Sequence, residues 1–171
     1  MHNFVDKDIE IKDKYSLGNF ELRALIAEFT DIDYQVIMAN RNFINRTFQP
    51  DRAWPDDSYT YAENYAAILR HEEEFKSRTT FVYAIFIGDE YLGCIYIRPI
   101  VSNSPSDLRP KLFDAQVFFW FTQESDLKCS RKFYLILDNF LKSSFKLEKV
   151  AYPGRNISWD DWALMKQGKT A

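Results

Sequence analysis

Alternation of apolar and polar positions organises the second half of the chain. Residues 81–87 (Phe-Val-Tyr-Ala-Ile-Phe-Ile) and 91–97 (Tyr-Leu-Gly-Cys-Ile-Tyr-Ile) are apolar, aromatic and β-branched, a composition that suits strands. Gly88-Asp89-Glu90 lies between them. Gly and Asp tolerate positive φ, so this is a tight hairpin signal. A third run, 112–122, places Phe113, Ala115, Val117, Phe119 and Phe121 on one face, with Asp114, Gln116, Phe118 and Trp120 on the other. Both faces turn apolar toward its C-terminal end, the pattern of a central strand covered on both sides. A helix is expected from about 126 to 145, with Leu127, Tyr134, Leu137, Leu141 and Phe145 on one side and Phe133, Ile136 and Phe140 adjacent. Residues 149–152 follow as another strand.

Upstream, the period changes. Residues 19–29 read as a strand running into a helix. Over 31–48, Ile32, Val36, Ile37, Asn40 and Phe43 recur at three- and four-residue steps, which predicts a helix. Residues 49–57 form a loop with two prolines and three aspartates. Thr60-Tyr61-Ala62-Glu63 is a capping box, and the helix after it carries Tyr61, Tyr65, Ile68, Leu69 and Phe75 on one side. The expected organisation is an N-terminal extension over 1–18 and one domain over 19–171.

Composition narrows the function classes. Aromatic content is 17%; most of these rings must be core, and a few are available for an apolar pocket. Net charge is -3, with cations scattered among acidic residues, so no field recruits nucleic acid. The longest apolar run, 117–121, is far too short to span a membrane, and the N-terminus has no secretory pattern. Cys94 and Cys129 have neither redox-motif nor metal-site spacing. A cytosolic, reduced setting is expected. With only His2 and His71, a histidine-rich zinc site is not buildable, and no metal is expected.

The order strand, two helices, hairpin, strand, helix, strand resembles that of the GNAT N-acetyltransferases. The resemblance covers roughly residues 19–168 and implies a GNAT-like acyl-CoA N-acyltransferase fold of α+β or α/β class. Its sheet is mixed and mainly antiparallel, with flanking helices. It further implies acetyl-CoA as cofactor and a small-molecule or peptide amine as acceptor; a homodimer is compatible with it. Family members follow the third strand with a Gln/Arg-x-x-Gly-x-Gly/Ala turn, whose amides and helix N-terminus hold the cofactor's pyrophosphate. Here Gln123 fits the first position, but Asp126 and Lys128, or in an alternative register Lys128 and Ser130, stand where glycines belong. The cofactor-binding set implied is Phe121, Thr122, Gln123, Lys128, Cys129, Ser130 and Arg131, with Asn156 on the pantetheine arm. The tyrosine that often protonates the leaving thiolate falls near Ala163. The family's final strands have no residues to form them, so the C-terminus is shortened.

Acetyl transfer needs an amine to lose a proton beside a polarised thioester. Asp114, the sole ionisable side chain on the face of the third strand, is the candidate base; the alternative is an aspartate in solvent or paired with Lys111 or Arg109. Trp54, Tyr96 and Arg98 are candidates to line an acceptor pocket, and each is also a plausible structural residue. A catalytically inactive GNAT-fold binding module remains the alternative to an enzyme.

Overall fold

A computed structural model describes residues 4–170. Six strands form one sheet in chain order: β1 (Lys14–Leu17), β2 (Phe20–Ala24), β3 (Phe81–Ile87), β4 (Glu90–Arg98), β5 (Ala115–Phe121) and β6 (Val150–Ala151). Every neighbouring pair is antiparallel except β5 and β6, which run parallel. The stretch read as an extension therefore supplies an edge strand, and Val5 is buried in the core. Short alternation over four residues is too weak a signal to find such a strand from sequence.

Helices cover both faces. On one side lie α1 (Thr30–Ile44) and α2 (Tyr61–Lys76). On the other lies a long helical segment: α4 (Gln123–Ser125), a π-helical stretch (Asp126–Ser130), α5 (Arg131–Phe140) and a second π-helical stretch (Leu141–Phe145). The short α3 (Arg109–Leu112) precedes β5, and α6 (Trp159–Lys166) is the last helix described. The capping box forms as expected: the Thr60 hydroxyl accepts from the Glu63 amide, and the Glu63 carboxylate accepts from the Thr60 amide.

Strand alternation divides the core as the sequence predicts. Ala115, Val117, Phe119 and Phe121 pack with Phe133, Leu137, Phe140 and Phe145 beneath α5. Phe118 and Trp120 face Ile37, Ile44 and Ile68 of α1 and α2. Each fully buried ring contributes about 1.5–3 kcal/mol of hydrophobic burial, so β5 is anchored from both sides. The buried face of α1 is Thr30, Asp33, Ile37 and Ile44, rotated from the expected one; Ile32 and Phe43 are exposed.

Two departures from regular pairing shape the site. In the β3–β4 hairpin, Ile85 pairs with Gly93 but Phe86 with Tyr91, so Leu92 is an extra, bulged residue. The bulge resets the alternation and puts Tyr91 on the same face as Cys94 and Tyr96. Second, β5 and β6 pair only at Ala115↔Val150 and Gln116↔Ala151. Beyond them the strands part.

Candidate active site

The gap between β5 and β6 opens a track of three adjoining cavities. The largest of these three, about 600 Å³, lies between the sheet, α1, α2 and the 48–59 loop, and its lining includes Trp54, Tyr59, His71, Tyr96, Arg98 and Phe118. A second, about 280 Å³, lies in the gap itself and shares Phe118 with the first. A third, about 440 Å³, sits at the outer mouth among Ser130, Arg131, Tyr134, Arg155 and Asn156, and shares Arg155 with the second.

The large cavity brings Trp54, Tyr96 and Arg98, the three residues named for an acceptor pocket, into one lining. Its floor is a polar network that sequence reading missed. Asp33 is buried; its carboxylate accepts from Asn64 Nδ2 at 2.9 Å and from the Tyr91 hydroxyl, while Tyr59 donates to Asn64 Oδ1 at 3.0 Å. Cys94 Sγ lies 2.9 Å from the Tyr91 oxygen. Burial raises the Asp33 pKa against the pull of its hydrogen-bond donors. All three carboxylates of the lining have partners within the fold, since Ser58 donates twice to Asp56 and Glu63 serves the capping box.

His71 is also in this lining and only 7% exposed. Its Nδ1 stands 3.0 Å from Glu74 Oε2. A carboxylate there favours the tautomer with the proton on Nδ1, which leaves Nε2 as an acceptor. Burial lowers the His71 pKa, and nearby Arg98 pushes the same way, while Glu74 pulls it up. The ring is therefore a neutral base oriented by a carboxylate. Its place in the Arg-His-Glu-Glu-Glu run hid it, because that run reads as a solvated helix face.

Asp114 does not reach this site. It precedes β5, where β5 and β6 are still paired, and it is exposed. Its Oδ2 accepts from the amides of Glu148 and Lys149 at 2.9 and 2.8 Å, which locks the entry to β6. Arg109 pairs instead with Asp107 at 2.7 Å.

The residues implied to bind the cofactor are differently disposed from a phosphate loop. The helix begins at Gln123, not near Asp126, with Thr122 as its N-cap. The Gln123 amide donates to Asn40 Oδ1 at 2.9 Å, and the Ser125 amide to the Thr122 hydroxyl at 3.2 Å. Lys128, Cys129 and Ser130 lie in the π-helical stretch, so their amides are not at a helix start. Lys128 pairs with Glu124 at 2.8 Å, the Phe121 ring is core, and Cys129 packs at the core's edge. An amide cradle for pyrophosphate does not fit here. Asn156 Oδ1 accepts from the Tyr152 amide at 2.9 Å, closing its own turn.

The donor set at the outer cavity suits an anion by other means. Arg131, Arg155 and Ser130 converge there with Asn156 and Tyr134. The Arg155 guanidinium lies 3.8 Å above the Phe119 ring and donates from Nη2 to the Phe119 carbonyl at 3.1 Å, across the gap. Gly154 makes this possible: its φ is +78°, and a Cβ there would come within 2.7 Å of the Trp159 indole. Trp159 in turn stacks on Phe118, with centroids 6.3 Å apart and planes at 12°. Ala163 is exposed on α6 and supplies no proton. Among the described residues no group of three or more His, Cys, Asp or Glu is placed to hold a metal.

Solved structures with the same architecture carry acetyltransferase names. The Vibrio fischeri ribosomal-protein-S5-alanine acetyltransferase superposes with a TM-score of 0.60 at 14% identity, over 85% of this chain and 76% of that one. The ribosomal L7/L12 alpha-N-protein acetyltransferase RimL, in complex with coenzyme A, gives 0.54 at 16% identity, over 76% and 68%. The microcin C7 self-immunity acetyltransferase MccE, in complex with acetyl-CoA and AMP, gives 0.52 at 13% identity, over 75% and 66%. This chain has the GNAT fold. At these identities the likeness speaks for the fold alone. No known family model matches the sequence, and no curated protein does. In this chain β5 and β6 part beyond their two paired positions, helices flank the sheet, and the helix after β5 starts capped by Thr122.

Proposed function

We propose that the protein transfers an acetyl group from acetyl-CoA to the amine of a small acceptor. The observation that carries this reading is the track of three adjoining cavities along the β5–β6 gap, from the outer cavity past Arg155 and Phe118 to the large one. Arg131 and Arg155 hold the diphosphate, as guanidinium groups bind phosphate oxygens in charge-assisted pairs. Bound acetyl-CoA supplies an activated thioester. The large cavity holds the acceptor against Trp54, Tyr59 and Tyr96. His71, oriented by Glu74, takes the amine proton at Nε2.

Two measurements test this. Acetyl-CoA at a hundredfold excess over its Kd should stabilise the fold by about 2.7 kcal/mol. His71→Gln should lower acetylation by about 10²–10⁴-fold and leave acetyl-CoA affinity in place. A second reading, a GNAT-fold binding module without acyl transfer, is favoured by the capped helix start and by Arg155 lying across the gap. No thermal response to millimolar acetyl-CoA selects that reading.

A further inference from the structure

The large cavity contains a cation with no protein anion to meet it. Arg98 closes β4, paired in register with Gln116. Its guanidinium lies 4.9 Å from the Phe48 ring centroid and 5.0 Å from that of Tyr96. Among the described residues it has no carboxylate within ion-pair distance and no hydrogen-bond acceptor. Glu74, the nearby carboxylate, is already engaged by His71 at 3.0 Å and by Arg70 at 3.7 Å. The remaining acids of the lining are satisfied within the fold, as described above. Gln116, its register partner, directs its amide nitrogen to the Pro99 carbonyl at 3.1 Å.

Arg98 is half-buried with its guanidinium open to the cavity, and a paired anion offsets the cost of desolvating such a charge. Ring faces attract a guanidinium but leave its fork of N–H donors unfilled. The fork matches a carboxylate in planar, bidentate geometry. We infer that Arg98 is the receptor for an anionic group on the ligand of this cavity, and that the acceptor is a small amine carrying a carboxylate, with an apolar or aromatic body seated between Phe48, Trp54 and Tyr59. The inference rests on the proposed role of the cavity as acceptor site, but it can be read without any acyl transfer.

The test is calorimetric titration of the full chain, without acetyl-CoA, using three probes: L-phenylalanine, L-phenylalaninamide and phenyl phosphate. L-Phenylalanine should bind at least about tenfold more tightly than its amide, the equivalent of one well-placed charged contact. Arg98→Met keeps the stem against the rings and should erase that preference. Arg98→Lys keeps the charge without the fork and should retain part of it. Thermal melts of both variants establish that they are folded. Equal binding of acid and amide overturns the inference, as does a preference that survives in Arg98→Met, or no binding by any probe. Tighter binding of phenyl phosphate overturns the carboxylate assignment. Failure of acetyl-CoA to bind would count against acetyl transfer and leave these titrations unchanged.

Discussion

Arg155→Met puts the cofactor end of the track to a decisive test. The wild-type guanidinium donates to the Phe119 carbonyl and stacks on the Phe119 ring. A hydrogen bond from a charged group contributes about 1.5–3 kcal/mol, and the ring contact about 0.5–2 kcal/mol. Against these stands the exposure of the side chain, which lets water compete for the same donors and reduces the net gain. A net loss of about 2 kcal/mol is the reasonable outcome. In a chain of this size it corresponds to a fall in Tm of about 4–8 °C. Only one nitrogen serves Phe119, and a guanidinium has five N–H donors, so the same side chain can hold a phosphate oxygen without giving up the Phe119 carbonyl. Methionine keeps most of the volume and removes every donor. Acetyl-CoA affinity, measured by calorimetry, should then weaken by about 10–150-fold, and its salt dependence should flatten. A variant that binds acetyl-CoA as tightly as the parent, or more tightly, refutes this reasoning: Arg155 would then fill the gap rather than anchor a ligand.

Three further outcomes follow from the geometry. Gly93→Ala would place a Cβ 1.9 Å from the Trp120 carbonyl oxygen, so the β4–β5 pairing must shift; a loss of at least about 3 kcal/mol in denaturant unfolding is expected, and a loss under 1 kcal/mol would mean the strands are further apart than this. Asp114→Ala removes the acceptor for two amides at the start of β6, so it should cost about 1 kcal/mol of stability and leave acetylation rates unchanged; a loss of turnover with unchanged stability would return Asp114 to the chemistry. For pH, His71 is a base whose folded pKa is depressed, first by burial and further by Arg98, with Arg70 pushing the same way and Glu74 opposing. The folded state therefore binds fewer protons than the unfolded state, and stability is complete above the unfolded pKa of about 6.5 and lost as pH falls below it. Melts at pH 7.5 and 5.5 should show a smaller drop for His71→Gln than for the parent; equal drops refute the burial of a neutral ring.

The sheet was legible because its signal is local. β5 alternates perfectly, so the two core faces of 115–121 could be assigned residue by residue. The capping box was legible for the same reason, being four consecutive residues with one geometry. The helix start was misplaced by three residues: its N-cap, Thr122, is local, but the acceptor for the Gln123 amide, Asn40 Oδ1, lies 83 positions away. The face of α1 was misjudged because Asp33 is a buried polar residue. A hydrophobic pattern counts it as solvent-facing, although it lies four positions before Ile37 and eleven before Ile44, on the same helical stripe.

Asp33 and its partners show why the polar half of the site stayed hidden. Strict alternation along 91–97 would send Tyr91 to the face opposite Cys94, and no sequence rule then joins Tyr91 to an aspartate on α1. The bulge at Leu92 reverses that parity, and Gly93 permits it because Trp120 leaves no room for a side chain. Tyr91, Cys94 and Asp33 meet only after this backbone event. The same logic holds for His71 and Arg98: each looks ordinary in its own run, and each acquires chemistry from what the sheet and α2 bring opposite. Candidate chemistry sought on the regular face of a strand pointed to Asp114, whose carboxylate is held by the amides at the start of β6 where the strands are still paired. The site lies instead where pairing fails, at the bulge in β4 and at the parting of β5 from β6. Substituting Leu92 should test that link least, since its side chain belongs to the core on the face away from Asp33, while its carbonyl accepts from the Thr122 amide just past β5 at 2.7 Å. Deleting Leu92 should test it most. The deletion restores regular alternation, rotates Tyr91 away from Asp33, and leaves a buried carboxylate with one donor fewer, at a cost of about 1–3 kcal/mol.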